Sequence, residues 1–345
     1  MKEGESKLNQ VLNSEEEIDL SLSYSKISDF DRNGAISLIR KREVTGAGLK
    51  HGALVDDLLV DIMTGSEQCK DTYYRFDGEK PSATLGVLCD IILKNYEEMP
   101  SLEDVTNIVG LNGFWSNIKN VDTLTAKFNI PEFWTYLMCM YESTDKILIT
   151  TREYNDAIEL VSILRNHKYS KPWIDNDYES IYQKKFSMDY KGFKLRGILD
   201  LITIDHDNKL VYFTDLKTGK GTALEFQDSF IKWRYYFQGA VYTAAFDTIC
   251  KELGLKGYTL KPFQFLYISK SDKTPLLYVM SEKWLTASWD GFKIGRYVYR
   301  GITELVDEIY WCWKNKQYEI PKYIVDNNGV VNIKDNFIEI QEYAV

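Results

Sequence analysis

Residues 178–219 hold three strand-like runs in close succession: "SIYQKKFSMDY", "FKLRGILDLITID" and "KLVYFTDLK". Their β-branched and aromatic residues, with the turn signals "KG" and "HDN" between them, predict three strands in meander order. A long helical stretch follows, "FQDSFIKWRYYFQGAVYTAAFDTICKELG", which Gly254 can terminate. Two further strands are expected at "KPFQFLYISK" and "PLLYVMS". From Ser281 one long helix is expected to about Gln317, and then a short extended tail. Residues 176–345 thus read βββαββ and then helix. That order predicts an α/β (α+β) fold, a mixed central sheet flanked by helices.

Upstream the pattern is α-rich. "SLSYSKISDF" offers Ser23 or Ser25 as an N-cap ahead of Ile27 and Phe30. "GLKHGALVDDLLVDIM" places Leu54, Val55, Leu58 and Leu59 on one apolar side. Residues 64–80 read as a loop. "PSATLGVLCDIILKNYEEM" reads as a helix with Pro81 and Ser82 near its start, and "TTREYNDAIELVSILRNH" as another with Thr151 as cap. Three regions are expected: a polar, flexible tail at 1–20, a mainly helical region at 21–175, and the sheet region at 176–345. Within the second, 64–150 has the character of an insertion, a lid or a clamp.

Composition narrows the function classes. With 345 residues and 44% hydrophobic content, the chain can bury a large core. No apolar run approaches the roughly 20 residues of a membrane span, and the polar N-terminus lacks a signal core, so a cytoplasmic setting is expected. Five scattered cysteines without a C-x-x-C argue against a disulfide scaffold, a zinc ribbon or a cysteine-ligated cluster. The net charge of −9 argues against a generally basic surface, but a local basic groove can coexist with an acidic exterior. "TGKGT" fails the P-loop pattern, since Thr214 stands at the first glycine position and Gly221 follows Lys220. Gly219 and Gly221 are expected to turn the chain away from the site. "RKR" at Arg40–Arg42 reads as a solvated cluster that can meet DNA phosphates.

Asp200 sits in the middle of the second predicted strand, and Asp215 ends the third. Adjacent antiparallel strands lie about 5 Å apart. The two carboxylates converge if the pleat turns both to one face, and Lys217, two residues on, shares the face of Asp215. Two oxygen ligands then serve a hard cation, with an ammonium beside them to position an attacking water. Arg234, Gln238 and Tyr242 follow at intervals of four, which predicts one shared helical face. Arg234 and Lys232 are placed to grip a DNA backbone. A lone D-x-K is weak in a chain with 27% charged residues, and the case rests on the whole set.

The set "GILD", "DLKTG" and "QGAVY" resembles the PD-(D/E)xK nuclease superfamily, in its RecB-like and phage exonuclease branch. The resemblance covers residues 178–280 well and the helices upstream more weakly. It implies a restriction-endonuclease-like core and Mg²⁺ or Mn²⁺ held by Asp200, Asp215 and the Leu216 carbonyl. Lys217 would orient water, and Gln238 and Tyr242 would organise the site. In many members a G-x-x-x-H histidine joins the metal. Aligning Gly52 with that glycine puts Asp56 at the histidine position, with Asp57 or His51 as alternatives. Gln183 stands where relatives often carry Glu. The implied activity is a metal-dependent DNA nuclease, an exonuclease of phage-type recombination, repair or replication. DNA is the implied partner, contacted by Arg234, Lys232 and Lys220, together with a recombination or replication protein. The alternatives are a nuclease fold kept as a DNA- or protein-binding module, and a structure-specific endonuclease.

Overall fold

The computed structural model describes residues 21–40, 47–143 and 145–330. The expected tail at 1–20, Lys41 and Arg42 of the basic cluster, and the segment beyond 330 lie outside the described residues. The chain divides into two compact units, Met1–Val44 with Asn176–Val345, and Thr45–Asp175.

The first unit is built on β1 (Ser21–Leu22), α1 (Tyr24–Asn33), β2 (Glu179–Tyr190), β3 (Phe193–Asp205) and β4 (Leu210–Gly219). Then come α2 (Phe226–Lys232), α3 (Tyr235–Ala244), α4 (Phe246–Leu253), β5 (Thr259–Leu260), β6 (Gln264–Ser269) and β7 (Pro275–Val279). It closes with α5 (Glu282–Asp290), the ribbon β8 (Phe292–Ile294) and β9 (Tyr297–Tyr299), and α6 (Ile302–Asn315). Among the described residues one seven-stranded mixed sheet forms in the order β1–β3–β4–β6–β7, with β2 also on β3 and β5 also on β4. Helices flank this sheet. β2 and β3 meet in a two-residue turn at Lys191 and Gly192, whose φ values of 50° and 81° fit a type I′ hairpin. β4 runs antiparallel to β3 and parallel to β6. Every residue of β6 is buried, as expected of a strand covered on both faces.

The expected long helix at 226–254 is three helices. Arg234 breaks it in the left-handed region, at φ 61°, and Ala245 separates α3 from α4. Gly254 ends α4 with φ 71°, as its position foretold. The expected helix from Ser281 to Gln317 is helix, ribbon, helix. The break falls at Gly291, where φ is 87° and an added Cβ would lie 2.8 Å from the Tyr299 carbonyl oxygen. Helical periodicity on either side of the ribbon hid it. Ser23 caps α1, accepting from the Lys26 amide at 3.3 Å.

The second unit carries helices at Ala47–Thr64, Ala83–Asn95, Leu102–Leu111, Pro131–Ser143 and Thr151–Asn166. Leu85, Leu88, Ile92, Val105, Phe128 and Phe133 form its core. Residues 64–80 are not all loop, because Tyr73–Phe76 pairs in parallel with Ile147–Thr150. Thr150, not Thr151, caps the following helix through a reciprocal bond with Glu153.

Candidate active site

β2 and β3 each change face at the same level. On β3, Phe193, Leu195 and Leu199 point into the core, and then Ile202 and Ile204 do. Period-two alternation permits that only with an extra residue between Leu199 and Ile202. On β2 the inward set passes from Phe186 and Met188 to Ile181. Pairing holds at Tyr182 with Leu201 and at Lys184 with Leu199, so Gln183 stands opposite Asp200. Gln183 is left-handed, with φ 50°. The matched break keeps register, and it frees Asp200 from the alternation that would otherwise fix its direction.

β3 and β4 part at this level. Their last paired residues are Leu201 and Thr214. Beyond them β4 continues beside β6 to Gly219. On β3, β2 holds one edge, so β1 takes the edge that β4 leaves, at Lys194 and Leu195. Residues 196–200 border the gap. Asp200 reaches across it, and its Oδ2 accepts the Leu216 N–H at 2.9 Å.

Asp215 is 1% exposed. Its Oδ1 accepts from the Gln238 side-chain amide, and its Oδ2 is ion-paired with the Lys217 ammonium. That ammonium also lies 5.0 Å from the centre of the Tyr235 ring. Gln238 is 2% exposed, and its buried Oε1 has no hydrogen-bond partner among the described residues. Tyr242 is buried, one helical turn along α3, edge-on to Tyr24 at 5.8 Å and to Phe186 at 5.2 Å.

Burial and then the charge of Asp215 push the Asp200 carboxyl well above the usual carboxylate range, against the opposing pull of Lys217. For Lys217, burial acts to lower the pKa. Asp215, Tyr24, Tyr235 and Asp200 outweigh it and hold the group as an ammonium far into the alkaline range. Burial raises the Tyr24 phenol to about 12 and the Tyr242 phenol higher still. Both stay neutral hydrogen-bond donors.

Gly197 of "GILD" has a steric role. A Cβ there would lie 2.6 Å from Tyr242 Cε1 and 2.7 Å from the Phe186 ring. Both rings are buried in the core, so neither can swing aside. Gly197→Ala is expected to cost about 1–3 kcal/mol of stability, read as a lower urea midpoint at unchanged slope. The chain bends at Lys220 and Gly221 as it leaves β4. Gly219 also serves close approach, since an added Cβ would lie 2.1 Å from Oη of the buried Tyr267.

Asp200, Asp215, Leu216, Lys217, Gln238 and Tyr242 are therefore brought together. Arg234 is not on their helical face, because it precedes α3. Its Nε bonds Asp31 Oδ2 of α1 at 2.7 Å, and its Nη1 bonds the Ile231 carbonyl at 3.0 Å. Its guanidinium thus clamps the α2–α3 elbow to α1. Lys232 and Lys220 are exposed. Asp56, Asp57 and His51 lie on Ala47–Thr64 of the second unit, where Asp57 accepts from Tyr73 Oη at 2.7 Å. Among the described residues no group of three or more His, Cys, Asp or Glu side chains is arranged to hold a metal.

The sequence reading missed Tyr24 and Tyr235. Tyr235 was findable, since it precedes Gln238 by three and Tyr242 by seven and so shares their face. Tyr24 lies far from the D-x-K in sequence, and no local pattern points to it.

No family profile matches the chain, and no curated protein matches it. Among solved structures it is similar to a crystal structure of a candidate exonuclease from Eubacterium rectale. The two share 12% identity over 89% of this chain and 97% of that one, with a TM-score of 0.31. No helix among the described residues is long and apolar enough to cross a membrane.

Proposed function

We propose that the protein is a divalent-metal-dependent deoxyribonuclease of the PD-(D/E)xK type, in the RecB-like and phage exonuclease branch. It would degrade DNA from an end in recombination, repair or replication. The observation that carries this reading is the fork between β3 and β4. There Asp200, Asp215 and Lys217 face one another, and Gln238 braces Asp215.

The residues present fit a hard cation. Burial, and then the nearby Asp215 carboxylate, raise the Asp200 pKa, and a buried Gln238 Oε1 without a donor stands beside them. Oxygen ligands of this kind suit Mg²⁺ or Mn²⁺. Asp200 and Asp215, with the Leu216 carbonyl, would hold the ion. When bound, it supplies Lewis-acid polarisation of the scissile phosphate and offsets charge on the attacking and leaving oxygens. Lys217 stays an ammonium and has no lone pair to accept a proton. Its part is to orient the attacking water and to balance charge growing on the phosphoryl oxygens. Gln238 fixes the direction of Asp215, and Tyr242, tied sterically to Gly197, fixes α3 against the sheet.

The test is digestion of linear and circular duplex DNA by purified protein with Mg²⁺ or Mn²⁺. Linear DNA is expected to be degraded, and circular DNA spared. Activity is expected to vanish with chelator and in Asp215→Asn. Equal degradation by the parent protein and this variant would discard the reading.

A further inference from the structure

Trp233 is 42% exposed, although it sits in the short elbow between α2 and α3. Two cations lie over its ring, the Arg32 guanidinium of α1 at 5.2 Å and the Lys232 ammonium at 5.0 Å. The elbow is held firmly. The Trp233 carbonyl accepts from Ser28 Oγ at 3.2 Å, and the Arg234–Asp31 pair locks the next residue to α1. The indole is thus presented by fixed backbone and is not buried by it.

The patch adjoins the active site. Tyr235, two residues on, carries the Lys217 ammonium over its ring, and the charge of Arg32 acts on the same phenol. Local acids offset only part of the patch. Asp31 is taken by Arg234, and Asp29 pairs with Arg32 at 3.6 Å while it also accepts from Asn33. Lys232 has no carboxylate in ion-pair reach among the described residues, and the elbow keeps a net positive balance.

We propose that Trp233, Arg32 and Lys232 form a landing platform for single-stranded DNA beside the active site. The indole stacks on an unpaired base, and the two cations hold the phosphates on either side of it. The inference rests on the nuclease reading above. An exposed indole beside paired cations complements a base flanked by phosphodiesters, and such stacking tolerates any sequence. Within a duplex, stacking hides every base face except the outer one of each terminal pair, so the platform favours an unpaired strand. A protein-docking patch would call for a wider apolar surround than two cations provide.

The test uses Asp215→Asn protein, with Mg²⁺ present, and a fluorescein-labelled single strand of about 16 nucleotides. Adding Trp233→Ala is expected to weaken binding about ten-fold, while Trp233→Phe stays within about two-fold. Blunt duplex binding should change far less. Lys232→Gln, an exposed change that folding tolerates, should lower the salt slope of single-strand binding by about 0.7. Single-strand affinity unchanged in Trp233→Ala, or a salt slope unchanged in Lys232→Gln, overturns the platform. If the parent protein still digests DNA in that event, the nuclease reading survives and the patch becomes a protein contact. If the parent protein neither binds nor digests DNA, both fall.

Discussion

Lys217→Met is expected to lower the rate of DNA hydrolysis by about 10²–10³-fold, with the Kd for DNA changed by less than about three-fold. The reason lies in where the charge is needed. The ammonium is held against Asp215 and over the Tyr235 ring, so it costs no reorganisation when negative charge builds on the phosphate. Ground-state DNA gains little from a single cation recessed in the fork. The loss therefore falls on kcat and not on KM. The raised pKa adds a second expectation. The pH–rate profile of the parent protein should show no falling limb from Lys217 at neutral or mildly alkaline pH. The substitution leaves Asp215 without its counter-charge, so metal-free protein should melt earlier, and Mn²⁺ should restore much of that loss. A Lys217→Met enzyme as fast as the parent would remove the residue from the chemistry.

Asp200→Asn is expected to abolish hydrolysis and at the same time to raise the melting temperature of the metal-free protein. Its folded-state pKa lies above the usual carboxylate value, so the folded chain holds the Asp200 proton more tightly than the unfolded chain does. Stability therefore falls as pH rises past about 4, and the penalty is complete above the folded pKa. Asparagine removes the cost of either protonating the carboxyl or burying its charge, while its Oδ1 can still accept the Leu216 N–H. The gain in chelator at neutral pH should be about 0.5–2 kcal/mol, typical of relieving a site strained for function. It should shrink to nothing below about pH 4. Adding Mn²⁺ should raise the melting temperature of the parent protein and leave that of Asp200→Asn almost unmoved. A fall in metal-free stability on Asp200→Asn would mean that Asp200 serves as a structural ion-pair partner, and the cation site would be lost with it.

Several features were legible because their signals are local. The strands β2, β3 and β4 announce themselves by composition and turn residues. So does Gly254 as the end of a helix. Asp215 and Lys217 share a face because they are two apart on a strand, and Gln238 and Tyr242 share one because they are four apart on a helix. The approach of Asp200 to Asp215 was readable only as a condition on the pleat. Strict alternation would have set Asp200 by the parity of its neighbours, and the matched break at Gln183 and Asp200 suspends that parity.

The two helices read as unbroken share one cause. Periodicity continues across a break when the pieces on both sides bury the same kind of face. The stretch from Phe226 to Gly254 reads as helix on both sides of the left-handed Arg234, although 236–242 are buried on every side, and the stretch from Ser281 to Gln317 reads as helix on both sides of a ribbon. Arg234 was assigned to the helical face by counting, but it lies before α3 and clamps the elbow to α1. The sequence by itself determined the strand–helix order, the residue types able to bind a hard cation, and the spacing that groups them in pairs. Tertiary structure alone decided that β3 and β4 part at Asp200, that β1 closes the other end of the gap, and that Tyr24 comes to rest against Tyr242. Side-chain periodicity is set by the backbone over a few residues. The meeting of segments more than 150 residues apart is set by which surfaces pack together, and no short window of sequence contains that information.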